Sequence, residues 1–272
     1  EPISRSFDSL HRRDDIVMAG TFAGDSWISS TGYYAGHFVR DWIGITAPER
    51  LCFLRYGEFH RMVDGRAVES FIFLDIPELM LSCRQWPIAT GPGHSRGYAG
   101  LIPGPASCDG IMSSGGDAAE AVKSCQIVTD MLAGLATADE SWRPYWHPDM
   151  VWYGPGAFGS FAGIDQFAGF QVPFESQFEG WSGGSSGNGH TQHFARFGDA
   201  AYACSGGWPS VTGVNVKQFL EQPVSNERVF MRVCDWWRRE GDLLVENWVF
   251  VDVPHVLKQL GNDLFATMEI GA

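Results

Sequence analysis

The stretch Val68–Met80, VESFIFLDIPELM, is nearly repeated as Val245–Leu257, VENWVFVDVPHVL. Five of the thirteen aligned positions are identical, and most of the others exchange one apolar residue for another. Chance would give roughly one identity, so the pattern indicates an internal repeat. In each copy an apolar run precedes Asp-Ile-Pro or Asp-Val-Pro, which predicts a strand followed by a short helix with the Asp as its N-cap.

The similarity extends upstream of both copies. Leu54–Arg61 aligns without a gap with Met231–Arg238, and Trp27–Ser30 lies over Tyr202–Ser205. The second copy continues upstream to about Cys125, and the first has no counterpart of that part. Two explanations stay open: the first module is naturally short, or about fifty of its residues are absent from this chain. The first residue of this chain is not Met, which favours the second explanation.

Length and composition limit the classes of protein. At 272 residues, two domains are the natural expectation. We predict a first module over residues 1–83, a Gly- and Pro-rich linker over 84–118 and a complete second module over 119–272. The net charge of −13 and the lack of a basic run argue against nucleic acid and anionic membranes as partners. No apolar stretch reaches the 18 residues of a membrane-spanning helix.

The six cysteines show no CxxC spacing, and several lie in apolar runs. This pattern is typical of buried free thiols, which fit a reducing compartment. We therefore expect a cytoplasmic protein.

Hydrophobic periodicity predicts helices followed by strands in the second module. Helical spacing covers Ala118–Ala138, a short piece at Ser141–Trp146 and Gly163–Phe178, where Pro173 should bend or end the helix. Alternating or apolar runs predict strands over Met150–Tyr153, His193–Phe197, Ala200–Gly207, Arg228–Arg238 and Leu243–Val251. The first module repeats only the strand half, so the fold class is α+β.

This order of elements resembles the cone-shaped nuclear-transport-factor-2-like superfamily, and the residues resemble its SnoaL-like, polyketide-cyclase-related branch. The motifs that carry the resemblance are His147–Gly154, Gly163–Phe167, Gly241–Trp248 and Leu257–Gly261. It implies two tandem cone-shaped α+β barrels, the first lacking its N-terminal helices, packed as an intramolecular pseudo-dimer. It does not imply one function, because isomerases, cyclases, dehydratases, epoxide hydrolases and non-catalytic binders share the fold.

One acid is placed unusually in the strand Arg228–Arg238. Asp235 shares a strand face with apolar side chains, among them Met231, Val233 and Trp237. The resemblance implies that this face lines the pocket, where burial would raise the pKa of Asp235 and leave it able to donate a hydrogen bond to an oxyanion. The alternative is that Asp235 pairs with an Arg or caps a loop.

The aligned acid of the first module is Glu58, with His60 two residues away on the same face. The two side chains could form a carboxylate–imidazole pair facing a ligand. The same alternative applies to Glu58 as to Asp235, which is pairing with a neighbouring Arg.

The positions at which the resemblance implies a general base hold no carboxylate. SnoaL-like cyclases carry an Asp after the aromatic residue of the last strand, where this chain has Val249. Ketosteroid isomerases carry a base on the first strand after the helices, where Tyr153 is followed by Gly and Pro. The nearest polar residue on the pocket face is Asn247, which could orient a carbonyl or a water, or serve as a core hydrogen-bonding group.

Several other residues are candidates with a structural alternative. His147 could be an acid or base at the pocket floor, or simply pack between helix and strand. His190 and His193 lack further ligands at suitable spacing, so we predict no metal site. Glu69 and Glu246 repeat faithfully and favour a fold-supporting role. Aromatic or apolar side chains expected to contact a ligand, or to fill the core, are Trp152, Tyr153, Tyr202, Trp237 and Val249.

Together these features favour an enzyme that acts on a small apolar carbonyl compound by proton transfer, as an isomerase, cyclase or dehydratase without a cofactor. Asp235 would be the acid or hydrogen-bond donor and Asn247 an orienting group. The alternatives are a non-catalytic binder of a small hydrophobic ligand and a structural protein with a filled cone. A further homo-oligomer is compatible with either module.

Overall fold

The computed structural model describes residues 2–93, 101–112, 116–137, 139–183 and 190–269. Strands dominate, helices are few, and the architecture is α+β. The first part of the chain contains β1 (Phe7–Phe22), β2 (Asp25–Phe38), β3 (Arg50–Val63), β4 (Arg66–Leu74) and α1 (Ile76–Ser82). The later part contains α2 (Ala118–Leu135), β5 (Trp146–Tyr153), β6 (Ser160–Ala162), α3 (Ile164–Glu175), β7 (Phe178–Gly183), β8 (His193–Asp199), β9 (Tyr202–Asn215), β10 (Arg228–Glu240), β11 (Leu243–Val251), α4 (Val253–Gln259) and α5 (Leu264–Glu269).

The strands form two sheets. The first is antiparallel in the order β1-β2-β3-β4. The second has the order β6-β5-β11-β10-β9-β7, with β8 also paired to β9. Its neighbours are antiparallel except for the parallel pair β5 and β11.

The aligned residues of the two copies occupy equivalent places in their sheets. Glu58 pairs with Ser30 and Ile72, and Asp235 pairs with Ser205 and Val249. A register shift follows the equivalent arginine in each hairpin. The two acids therefore project from matching positions of their sheets, which makes them directly comparable.

Polar pairs also recur in both copies. The ion pair between Arg61 and Glu69 has its counterpart between Arg238 and Glu246, so both repeated glutamates support the hairpins. The N-cap predicted for Asp75 and its counterpart Asp252 is confirmed: each carboxylate accepts a hydrogen bond from the backbone N–H three residues later. Such caps satisfy N–H groups that a helix leaves unbonded at its start.

One face of each sheet packs against the other sheet. Trp27, Phe59 and Phe73 of the first sheet share a buried cluster with Trp236 and Phe250 of the second. Gly57 permits this close approach, because a Cβ at this position would lie 2.6 Å from the Trp236 ring. The sheets are thus held together by interlocking aromatic rings.

Arg55 adds hydrogen bonds across the same contact. Its side chain is 1% exposed, and Nη1 donates to the carbonyl oxygens of Gly154 (3.1 Å) and Val249 (3.2 Å) in the second sheet. The guanidinium also lies 3.7 Å from the Asp75 carboxylate and over the Phe250 ring. Its charge is therefore buried but compensated.

The other face of the second sheet is covered by its helices and holds a separate core. Helix α2 starts at the capping residue Asp117 and ends at Leu135, before the predicted Ala138, which lies outside the described residues. Helix α3 starts after Gly163, whose φ of 86° suits glycine. Pro173, predicted to bend or end α3, lies two residues before its last residue. These helices close the hollow described below.

Strands β6 and β7, the second half of β9 and helix α5 were not predicted. They are short, or interrupted by Gly and Pro, so hydrophobic periodicity does not single them out. The predicted linker is described over 84–93, 101–112 and 116–118, and the first two of these segments contain no helix or strand. Ile102 is buried among the rings between the sheets, and the Pro103 carbonyl accepts a hydrogen bond from the Trp248 indole.

Candidate active site

A cavity lies between the helix-facing side of the second sheet and helices α2 and α3. Its volume is about 90 Å³, which is smaller than the roughly 150 Å³ engineered cavity known to bind benzene. The walls are almost entirely apolar side chains, with Asp235, Asn247, Ser210 and Gln171 as the polar exceptions. A molecule of a few heavy atoms fits without rearrangement.

Asp235 lies in the wall of this cavity, 9% exposed, on the central strand β10. Burial raises its pKa from 3.8 to about 8, and this increase is only partly offset by a hydrogen bond from Asn247 and by the charge of Arg196. No Arg or Lys of the described residues forms an ion pair with it. At neutral pH the carboxyl is therefore mostly protonated and can donate a hydrogen bond.

Asn247 on β11 fixes the orientation of this carboxyl. Its Nδ2 donates to the Trp236 carbonyl oxygen at 3.1 Å, and the side-chain amide also hydrogen-bonds Asp235. Because one amide proton is held by the backbone, the amide cannot rotate freely. The two predicted polar residues of the cavity are thus a linked pair.

A second polar group, which the sequence did not predict, reaches the cavity from β8 and β9. Ser210 lines the cavity, and its Oγ lies 3.3 Å from Nε2 of His193. Nδ1 of the same ring lies 3.1 Å from Nη2 of Arg196 and 2.7 Å from the Ser205 hydroxyl. Ser205 is also the cross-strand neighbour of Asp235, so both polar groups belong to one region of the sheet.

His193 is held neutral in this arrangement. Burial and the neighbouring Arg196 lower its pKa to about 3. A guanidinium can only donate hydrogen bonds, so Nδ1 is the acceptor and the ring proton is on Nε2, directed at Ser210. The described residues contain no group of three His, Cys, Asp or Glu side chains that could hold a metal ion.

A second buried acid lies next to the cavity on α3. Gln171 contributes to the wall, and its Nε2 donates to Oε1 of Glu175 at 2.8 Å. Burial raises the pKa of Glu175 to about 7. Glu175 also lines an outer cleft. Trp181 lines both this cleft and the cavity. This side of the cavity is therefore the one nearest to solvent.

The structure brings together five of the residues predicted to form the site. Their side chains line the cavity, and they come from three neighbouring strands of the sheet: Asp235, Asn247, Trp152, Trp237 and Val249. Alternation along each strand explains this grouping, since residues two apart point to the same face.

Tyr153 and Tyr202 correct the prediction, because neither lines the cavity. Both rings belong to the cluster between the two sheets. The Tyr153 hydroxyl donates to Glu246 at 3.4 Å, and the Tyr202 hydroxyl donates to Asp109. Tyr153 directly follows Trp152, so it must point to the opposite face of β5.

His147 does not lie at the cavity floor either, so its predicted role as an acid or base is wrong. It lies half-buried at the start of β5, and its Nδ1 accepts a hydrogen bond from the Asp149 backbone N–H at 3.1 Å. The neighbouring Trp146 takes the inward position and lines the cavity. The imidazole therefore holds a local turn and is not an acid or base of the cavity.

Glu58 and His60 do not form a ligand site in the first module. Glu58 is buried, its Oε2 accepts from Arg12 at 2.7 Å, and its Oε1 accepts from the Tyr34 hydroxyl at 2.9 Å. His60 lies 3.3 Å from Oε2 and 2.8 Å from the Ser70 hydroxyl. Pairing with an Arg, the alternative open to both acids, thus applies to Glu58.

Solved structures that this chain resembles carry SnoaL-like and ketosteroid-isomerase-like folds, as the sequence resemblance predicted. A proposed hydroxylase from Streptomyces galilaeus is 16% identical, with a TM-score of 0.43 over 52% of this chain and 96% of that one. A proposed SnoaL-like polyketide cyclase from Jannaschia is 14% identical, with a TM-score of 0.42 over 50% and 93%. A protein with a ketosteroid-isomerase-like fold from Catenulispora acidiphila is 12% identical, with a TM-score of 0.40 over 50% and 92%.

Each of these proteins corresponds to about half of this chain. Identities and TM-scores this low say nothing about activity. No protein-family model matches the sequence, and no curated protein is similar to it. Among the described residues, no helix has the length and apolar character needed to cross a bilayer.

Proposed function

We propose that this protein is an enzyme that binds a small apolar carbonyl compound in the cavity and promotes proton transfer next to the carbonyl. The observation that carries the proposal is the buried carboxyl of Asp235 in an otherwise apolar wall, where burial raises its pKa. Trp152, Trp237 and Val249 form walls that hold the apolar part of the substrate, and Asn247 orients the acid.

In this mechanism Asp235 supplies the acid half of the transfer. Its hydroxyl donates to the carbonyl oxygen, and the hydrogen bond strengthens as an adjacent C–H proton leaves to water and negative charge develops on that oxygen. A neutral acid in an apolar site is suited to this role, because it needs no solvent reorganisation to stabilise the oxyanion. The chemistry requires positioned acids only, so we propose no cofactor.

Hydrogen exchange at the carbon next to the carbonyl tests the proposal. Small ketones are incubated with the protein in D₂O, and deuterium uptake is followed by mass spectrometry. Asp235→Leu, which has a similar shape and no hydrogen-bond donor, should slow uptake about 100-fold or more, as loss of one oxyanion donor does elsewhere. Glu58→Gln, at the matching position of the first sheet, should leave the rate unchanged. Equal uptake by Asp235→Leu and the unaltered protein would refute the acid role.

A non-catalytic binder of a small hydrophobic molecule is the second candidate. It is favoured by the absence of a carboxylate at the two positions where the resemblance implies a general base, Val249 and Tyr153. Under this alternative Asp235→Asn binds the ketones as tightly as the unaltered protein, and neither exchanges their hydrogens.

We further propose that the two modules form an intramolecular pseudo-dimer in a reducing, cytoplasmic setting, with no nucleic acid or membrane as partner. The buried aromatic contact between the sheets supports the first part. The six cysteines are free, four of them buried, which supports the second part. Thiol titration of freshly purified native and unfolded protein tests it: all six thiols should react after unfolding, and the four buried ones should not react in the native protein.

A further inference from the structure

The Ser210 hydroxyl lies in the cavity wall, and its hydrogen bonding is determined by the residues on its far side from the cavity. It is 6% exposed. Among the described residues its Oγ has one hydrogen-bond partner, Nε2 of His193. Since His193 carries its proton on Nε2, Ser210 accepts this bond and keeps its own proton for another acceptor. The described residues provide no such acceptor, and the cavity is the apolar space that Ser210 borders.

The direction of this chain of hydrogen bonds is set by Arg196. The guanidinium is 7% exposed, and no carboxylate of the described residues forms an ion pair with it. Its Nη2 donates to Nδ1 of His193, and its Nε lies 3.4 Å from the Ser205 hydroxyl. The fixed positive charge of Arg196 polarises each hydrogen bond of the chain in the same direction, from Arg196 through His193 to Ser210. The Ser210 hydroxyl is therefore a strengthened donor.

Ser210 lies some distance from Asp235 along the sheet. A Cβ added at Gly207 would lie 2.5 Å from the Ser210 Cβ, and Gly207 pairs with Val233, so the Ser210 side chain lies beside the strand position of Val233. That position is two residues from Asp235, or about 7 Å at 3.3 Å per residue. Two donors at this spacing can each bind one oxygen of a molecule whose oxygens are about 3 to 4 Å apart, given donor–acceptor distances near 2.8 Å.

We propose that Ser210 binds a second oxygen acceptor of the ligand, with His193 and Arg196 as the residues that position its hydroxyl. The inference rests on the proposed function, in which Asp235 takes the carbonyl oxygen. The preferred substrate is then a carbonyl compound with an ether, ester or second carbonyl oxygen close to the first. Ser210 discriminates it from an otherwise identical molecule with only one oxygen.

Pentan-2-one and methoxyacetone test this, because they differ only by a CH₂ group replaced by oxygen. Dissociation constants are measured for both by NMR titration. Ser210→Ala should weaken methoxyacetone binding roughly fivefold, the loss expected for one neutral hydrogen bond, and leave pentan-2-one within about twofold. His193→Gln, which keeps a donor near Nε2, should retain the discrimination, and His193→Leu should lose it. Ser160→Ala removes a buried hydroxyl that does not line the cavity and is the control.

The tautomer of His193 gives a second measurement that needs no variant. Nitrogen-15 NMR of the unaltered protein should show a neutral ring protonated on Nε2. A ring protonated on Nδ1, or a charged ring near neutral pH, would overturn the proposal, as would a Ser210→Ala variant that affects both probes equally. The proposed function fails separately, through unchanged deuterium uptake in Asp235→Leu, and that result does not alter the binding ratio.

Discussion

Replacing Asp235 by Asn should change how the stability of the protein depends on pH. The pKa of this carboxyl is raised from 3.8 to about 8 by burial, so the folded protein keeps a proton that the unfolded chain releases above pH 4. Stability from this group is fully present below pH 3.8 and is lost as the pH rises towards 8. Asn has nearly the same shape and does not titrate.

The size of the effect follows from the shift. Between pH 5 and pH 7 the folded state holds one proton more than the unfolded state, which corresponds to about 1.4 kcal/mol per pH unit. The free energy of unfolding of the unaltered protein should therefore fall by about 2.7 kcal/mol more than that of Asp235→Asn over this range. Contributions of the other titrating groups cancel in the comparison.

Guanidinium chloride unfolding followed by tryptophan fluorescence, at pH 5, 6 and 7, provides the measurement. The difference in unfolding free energy between Asp235→Asn and the unaltered protein should grow steadily with pH in favour of the variant. Glu58→Gln serves as the matched control, because Glu58 is compensated by Arg12. A difference that stays constant from pH 5 to pH 7 would show that Asp235 is ionised in the folded protein and would refute the acid role.

Further substitutions test the contact between the sheets and the packing around the cavity. Arg55→Met should lower the free energy of unfolding by about 3 to 5 kcal/mol in guanidinium chloride, because it removes the positive charge beside the buried Asp75 carboxylate. The aligned and more exposed Arg232→Met should cost about 1 kcal/mol. Gly57→Ala should cost about 1 to 3 kcal/mol through the clash with a tryptophan ring. Gly169→Ala, in α3 with open space around it, should stabilise by up to about 1 kcal/mol in the same assay. Glu175→Gln should stabilise the protein more at pH 8 than at pH 5, since burial raises the pKa of Glu175 to about 7.

The placement of Asp235 was accessible from the sequence because a strand has a period of two. An acid between Val233 and Trp237 on one face must share the surroundings of those side chains. The same rule would have excluded Tyr153 once Trp152 was assigned to the cavity. That error came from treating neighbouring aromatic residues as one group.

Ser210 and His193 could not be found in this way. The register of β9 shifts between its pairings with Val233 and Met231, and such a bulge changes which side chains face inward without leaving a periodic signal. The role of His193 depends on a guanidinium three residues later and on a hydroxyl 17 residues later. Only the folded sheet brings these groups together.

Glu58 shows a different limit. Its partner Arg12 lies on β1, 46 residues earlier, in a part of the chain for which the repeat gives no guidance. Pairing between side chains on distant strands depends on the order of the strands in the sheet. The sequence predicted the fold class and not this order. Equivalent positions in two copies of a module can therefore hold acids in different surroundings: Glu58 pairs with an arginine, and Asp235 forms no ion pair with the described residues.

Arg55 hydrogen-bonds the backbone carbonyl of Val249, whose side chain forms part of the cavity wall. The side of that wall facing away from the cavity is thus supported by a sheet of the same polypeptide. In a dimer of separate subunits, the same support would require two molecules to associate in solution. A contact within one molecule does not depend on protein concentration. Specific activity should consequently stay constant on dilution, even to concentrations at which a weakly associated dimer would come apart.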